Sequence, residues 1–298
     1  MTTTQTTERT ELVSAALAAA APQFRTAGSS HWQIPVRNGM ARVIAARTAG
    51  QWLILESDFG AGTPGSADFL QAFKRNASLP GFAKIALTPG GQLNLRAEIP
   101  VVEDGDLTAR IREVLDGFAA AWSADELPGV KVATADITSE LADLKPLCTE
   151  AGWPFTERGG GRLAVELEAP AGFYQALLTP LNGGVRVACE LAPLESDSEN
   201  ARRASAVLLL AASGLVRLAR AAVNADQTPP VARFEVVFGT APSPSELSSA
   251  LECLSVACSH CGEEVKLLQA PAIAERFLAL RGWNAEANNR RNERTVTK

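Results

Sequence analysis

Residues 10–20, TELVSAALAAA, and residues 141–151, LADLKPLCTEA, read as one helix written twice. Val13, Ala16, Leu17 and Ala20 share a face at helical spacing. Moving 131 places along the chain gives Leu144, Leu147, Cys148 and Ala151, which keep that spacing. The same offset carries Phe24 onto Phe155, Ile34 onto Val165 and Val36 onto Leu167, and the alternation in 32–36 and 163–167 predicts the first strand of a sheet. A two-residue insertion then makes the offset 133, so that 42–47 meets 175–180 and Trp52-Leu53-Ile54 meets Val185-Arg186-Val187. Each copy is expected to hold three short strands in a row. Asn38-Gly39 and Ala49-Gly50 join them in one copy, and Ala171-Gly172 and Gly183-Gly184 in the other. Glycine tolerates positive φ, so these are tight hairpin turns and the sheet is antiparallel.

A helix over Ser66–Asn76 follows in the first copy, and a longer one, Ser198 to about Val223, in the second. Leu93, Leu95 and Ala97 of the next strand answer Phe234, Val236 and Phe238. In a last amphipathic helix, Leu107, Ile111, Val114 and Phe118 match Leu247, Leu251, Leu254 and Cys258. Asp104 or Asp106, and Ser243 or Ser245, are the expected N-caps. The offset grows to about 140, as one ancestral unit with a longer central helix in its second copy requires. The expected fold class is therefore α+β: two repeated units, each an antiparallel sheet flanked by helices. The first spans 1–125 and the second 136–284, joined across Ser123–Asp136 where Pro128-Gly129 breaks the pattern, with 285–298 a disordered tail. A length of 298 residues suits two domains.

Within the first copy, Leu79-Pro80-Gly81-Phe82-Ala83-Lys84-Ile85-Ala86-Leu87 leads through the turn Thr88-Pro89-Gly90-Gly91 into the strand Gln92–Val101 and the helix Leu107 to Trp122. This hairpin, with its Pro-ended strand and a last helix closing on an aromatic, resembles the class I type III secretion chaperones (the Tir chaperone family) and the related YbjN-like proteins. The resemblance is best over about 79–122 and holds only as a pattern in the second copy, where the first strand of the hairpin reads as helix. It implies a non-enzymatic protein-binding module that holds an extended or partly unfolded segment of a partner against apolar surface, by edge-strand addition or helix-in-groove docking. Family members are single units that dimerise. Two units in one chain imply a monomer with an internal pseudo-dimer, or a homodimer.

Composition narrows the rest. Apolar residues make up 46% and charged residues 20%, as in a folded globule, and the net charge of −5 comes with no basic block, so nucleic acid is not an expected partner. The longest apolar stretch, Ala204 to Val216, is too short to span a bilayer. The N-terminus has no signal-peptide pattern, and the odd cysteine count (Cys148, Cys189, Cys253, Cys258 and Cys261) suits reduced thiols, so a cytoplasmic location is expected.

Candidate chemistry is sparse. Cys253-x4-Cys258-x2-Cys261 has ligand-like spacing, but Leu251, Leu254 and Cys258 share a helical face, so packing is expected and no metal or cofactor. His31 and His260 lack a nucleophile motif. Gly60–Ser66 lacks the P-loop lysine, Ser66 reads as a helix cap, and Gly159-Gly160-Gly161 reads as a turn. Glu103-Asp104, Asp125-Glu126 and Glu263-Glu264 read as solvated pairs. No catalytic residue is expected. Trp32, Trp52 and Phe82, large apolar groups on or beside strands, are the candidate partner contacts wherever they face outward. Two further classes stay open: an enzyme or small-molecule binder with a site between the units, and a structural subunit self-associating through sheet edges.

Overall fold

The chain folds, in a computed structural model that describes residues 3–38, 40–59, 66–123, 143–170, 172–194 and 198–282, into two six-stranded antiparallel sheets with helices against them. The first unit runs α1 (Thr3–Ala20), β1 (Arg25–Gly28), β2 (His31–Asn38), β3 (Met40–Ala49), β4 (Trp52–Asp58), α2 (Ser66–Asn76), β5 (Lys84–Leu87), β6 (Leu93–Pro100) and α3 (Leu107–Ser123). The second runs α4 (Leu144–Glu150), β7 (Phe155–Arg158), β8 (Arg162–Ala169), β9 (Gly172–Pro180), β10 (Val185–Pro193), α5 (Glu199–Leu215), β11 (Arg220–Asn224), β12 (Val231–Phe238), α6 (Pro244–Leu267) and α7 (Pro271–Leu280). Strand order is β1-β2-β3-β4-β6-β5 in one and β7-β8-β9-β10-β12-β11 in the other. The topology is the same in both, a meander followed by a hairpin inserted against its last strand. The expected joining segment Ser123–Asp136, after its first residue, and the tail 285–298 lie outside the described residues.

The amphipathic patterns land where the spacing put them. Val13, Leu17, Leu144 and Cys148 are buried, as are all eight paired positions on α3 and α6. Asp106 caps α3 by accepting from the Ala109 amide, and Ser243 closes a capping box with Glu246 on α6. The turns at Gly50 and Gly183 have φ of 62° and 78°, which a side chain would resist.

Three expectations change. The meander has four strands, not three: β1 and β7, with sequences RTAG and FTER, are short, almost wholly exposed and carry no alternation to reveal them. The helix expected to run to about Val223 stops at Leu215. Val216 is extended, Leu218 takes a φ of 58°, and β11 follows, so the second copy keeps its hairpin. β11 is buried on both faces, and an apolar run without alternation does not show where helix becomes strand. The offset in β3, β4, β9 and β10 is 132, not 133, and in β6 and β12 it is 139, so that Leu95, Ala97 and Ile99 answer Phe234, Val236 and Phe238. Trp32 opposes Ala46 and Leu163 opposes Leu178, while Leu53 opposes Ile99 and Val185 opposes Phe238. A one-residue slip inverts the faces, so the core-facing pair on β4 is Leu53 and Leu55, matching Val185 and Val187. The helix α7, packed against α5, has no counterpart among the described residues of the first unit.

One apolar core runs continuously through both units. The second helix of each unit packs on the other unit's hairpin, α5 on β5 and α2 on β11, more extensively than on its own. Gly214 lets α5 approach: a Cβ there would sit 2.9 Å from the Leu87 carbonyl oxygen. Among the described residues no helix is long and apolar enough to cross a membrane.

Candidate functional site

Charged side chains are concentrated where the two units meet, and they sit on strands buried on both faces. Lys84 opens β5 and is fully buried. Its Nζ donates to Glu98 Oε2 on β6 at 2.8 Å and crosses to the carbonyls of Val216 and Ala219 at 2.9 and 3.2 Å. Three protons thus meet three acceptors. Glu98 in turn accepts from Arg96 and from the amide of Leu218 across the junction. The second unit mirrors this. Arg220 opens β11 and donates through Nε and Nη2 to Glu235 Oε1 on β12, at 3.0 and 2.9 Å. Its Nη1 reaches back to the carbonyls of Gly81 and Ala83, at 3.2 and 3.0 Å. Each unit therefore uses the first residue of its inner hairpin to tie down the segment that leads into the other's.

A third tie joins α3 to α6. Arg110 binds Glu246 bidentately at 2.8 and 2.9 Å, and its Nη1 donates to Glu113 and to the Thr240 hydroxyl, both at 2.8 Å. The guanidinium lies over the rings of Phe82 and Phe238, which meet edge to face at 5.2 Å. These side chains are engaged chiefly with one another, so the junction is a tie between the units.

Burial alone would push the carboxyls of Glu98 and Glu235 up. The cations around them, Lys84 and Arg96 on one, Arg220, Arg233 and Arg186 on the other, outweigh burial and hold both below the ordinary carboxylate value of 4.5. Burial pulls the Lys84 ammonium down against the attraction of Glu98. A carboxyl whose folded value is depressed stabilises the fold above its unfolded value, and that contribution is lost as pH falls through the folded one. Stability from these two groups is thus constant above about pH 5 and drops below about pH 4.5. Urea unfolding from pH 7 to 3 is expected to show this limb, made shallower by Glu98→Gln. An unchanged limb in that variant would contradict the assignment.

The partner-contact candidates are not brought together on a surface. Trp32 and Phe82 are 2% and 1% exposed, in the core and at the junction, while Trp52 is half-buried at the start of β4 beside Pro100. The exposed large apolar groups on the sheets are instead Val43 on β3, 52% exposed, and Phe173 on β9, 70% exposed, both on the face away from the core. Sequence reasoning passed over them because one apolar residue at an outward strand position looks like any other until the register is known.

His31 and His260 are exposed and do not meet. A cavity of about 300 Å³ near α4 is lined by Asp143, Lys145, Glu157, Arg158 and Arg162, with Lys145 and Glu157 paired at 2.9 Å and neither histidine present. Cys258 and Cys261 are buried on α6 and Cys253 half-buried. Burial pushes the Cys253 and Cys261 thiols up to about 12, and a hydrogen bond with Cys189 together with burial raises Cys258, so all three stay protonated near neutrality. Among the described residues no three histidine, cysteine or acidic side chains are grouped to hold a metal ion. The Gly60–Gly65 loop lies outside the described residues, and Gly160 and Gly161 form the β7–β8 turn. Of the acidic pairs, Asp104 crosses the junction to accept from the Ser245 amide, while exposed Glu263 pairs with Lys266.

In class, this is a tandem α+β protein whose two units of one topology share a core. The chain matches no protein-family model, no curated protein and no solved structure.

Proposed function

We propose that this protein is a non-enzymatic, cytoplasmic protein-binding module of the secretion-chaperone-like type, holding an extended segment of a partner protein, with its two units forming internally the pair that such proteins form as dimers. The observation that carries the reading is the state of the outer sheet edges. Among the described residues β1 and β7 are paired on one side only, their residues are almost wholly exposed, and on the sheets they border stand the exposed apolar groups Val43 and Phe173. An extended chain gains main-chain hydrogen bonds at such an edge, and Val43 and Phe173, two strands in from it, offer apolar contact where the chain continues across the outward face. The inner edges, β5 and β11, are covered by the helices of the opposite unit, which leaves the outer ones for a partner.

The test uses the full chain as bait in its native cytoplasmic extract, beside a Val43→Glu/Phe173→Asp variant. Wild type is expected to retain a specific polypeptide, and the variant to lose it by about tenfold or more, since burying one large apolar side chain is worth about 1.5–3 kcal/mol. Circular dichroism should be the same for both. A bait that sediments as a homo-oligomer and retains nothing else would sink the reading in favour of a self-associating subunit.

A further inference from the structure

The outward face of the second sheet gathers arginines around one carboxylate. On β11, β12 and β10, Arg220, Arg233 and Arg186 converge on Glu235. Nη2 of Arg220 lies 2.9 Å from its Oε1, Nη2 of Arg233 lies 2.7 Å from its Oε2, and Nε of Arg186 is 3.6 Å from that same oxygen. Glu190 stands opposite Arg233 in the register, but its Oε1 accepts from Asn224 and Gln227 at 3.2 and 2.6 Å. The Nε atoms of Arg186 and Arg233 are buried with no hydrogen-bond partner, and the Glu235 Oε2 they flank makes no well-aligned hydrogen bond either. A guanidinium keeps its charge at any physiological pH and is suited to planar, bidentate acceptors, so three guanidiniums around one carboxylate leave positive charge in excess for a second anion. Arg186 is the member open to solvent, with 24% of its side chain exposed.

The rest of this face limits what the anion is attached to. Arg186 stands opposite Thr179 on β9, and Leu177, Gln175 and Phe173 continue along the same side of that strand. Phe173 is six residues from Thr179, or about 20 Å at about 3.3 Å per residue. Glu168 opposes Phe173 and Glu166 opposes Gln175, so the far end of the face is apolar and acidic. A free phosphate would use only the arginine end. An extended peptide would use both.

We propose that this face receives an extended segment of the partner protein that sets a carboxylate against Arg186 and Arg233 and, about six residues along, an apolar side chain with a basic neighbour over Phe173 and Glu168. The proposal rests on the protein-binding reading and names the chemistry of the segment bound. The carboxylate accepts charge-assisted hydrogen bonds from guanidiniums that now share Glu235.

The test uses the full chain and a fluorescent nine-residue peptide carrying Glu-Asp near one end and Phe-Lys six residues on, with a Gln-Asn version as control, read by anisotropy at two salt concentrations. The acidic peptide is expected to bind about tenfold more tightly than the control, with the advantage shrinking at high salt. Arg186→Gln, which leaves Glu235 with Arg220 and Arg233, should erase that advantage without moving the thermal midpoint by more than a few degrees. Phe173→Asp should weaken both peptides. Equal binding of the two peptides, or an Arg186→Gln variant that still prefers the acidic one, would overturn the assignment and leave the protein-binding reading standing. Competition by inorganic phosphate at the peptide's own concentration would reduce the face to a simple anion site and also overturn it. Failure of both peptides to bind would defeat it too, while the capture experiment with Val43→Glu/Phe173→Asp judges the protein-binding reading separately.

Discussion

Arg220→Ala is expected to cost about 3–5 kcal/mol of folding stability, a large part of the roughly 5–15 kcal/mol that a typical fold possesses. Arg220 is 2% exposed, and its guanidinium serves a fully buried carboxylate and two carbonyls of the other unit at once. Removing it leaves Glu235 to Arg233 and Arg186, and leaves the Gly81 and Ala83 carbonyls without that donor. An unsatisfied buried polar group costs about 1–3 kcal/mol by itself. Arg220→Lys should fall between wild type and Ala. Lys84, in the mirror position, satisfies one carboxylate oxygen and two carbonyls with three protons, so an ammonium can do part of the same work. Pairing Arg220→Met with Glu235→Gln should recover only part of the loss, because the two carbonyls stay unserved in both. Urea unfolding of wild type and the three variants measures this. An Arg220→Ala protein within about 1 kcal/mol of wild type would show that the junction does not depend on this tie.

Separating the halves should have a still larger effect. Residues 1–123 and 143–298 produced as separate chains are each expected to be collapsed but not uniquely packed. Dye binding to exposed apolar surface and a lost near-ultraviolet dichroism signal would report this. The reason lies in where the core is. β5, with Ile85, Ala86 and Leu87 buried, is covered by α5 of the other unit, and α2 lies on β11. Cutting the chain bares both apolar faces. It also leaves Lys84 and Arg220 without the carbonyls they reach, and Arg110 without Glu246. Co-expression of the two fragments should restore a 1:1 complex with a cooperative transition, because the lost contacts lie between the fragments. If residues 1–123 alone unfold cooperatively with native-like packing, the units are independent, and the buried charges between them are incidental.

Helical faces such as Val13–Leu17 and Leu107–Phe118 were legible because each has one wet side and one dry side, and a period of 3.6 records that contrast. The hairpin of β5 and β6 was legible from its Pro-Gly-Gly turn. The start of β11 was not: Arg220-Ala221-Ala222-Val223 is dry on every side, so nothing in its pattern separates strand from helix. β1 and β7 were invisible for the opposite reason, being wet on nearly every side. The partner-contact choice of Trp32 and Phe82 went by size, and size says only that a side chain prefers burial.

What the amino-acid order determined alone was a two-fold pattern: which positions repeat, at which spacing, and hence an α+β unit present twice. Only the tertiary structure decided that the two units exchange helix contacts across their inner hairpins, that Lys84, Glu98, Arg220 and Glu235 are paired there, and that Val43 and Phe173 are the large apolar groups of the described sheets left facing water. Periodicity is a property of one element and its nearest neighbours along the chain. The buried charges here are completed by partners more than 100 residues away, such as the carbonyl of Val216 for Lys84, and no local spacing encodes that distance.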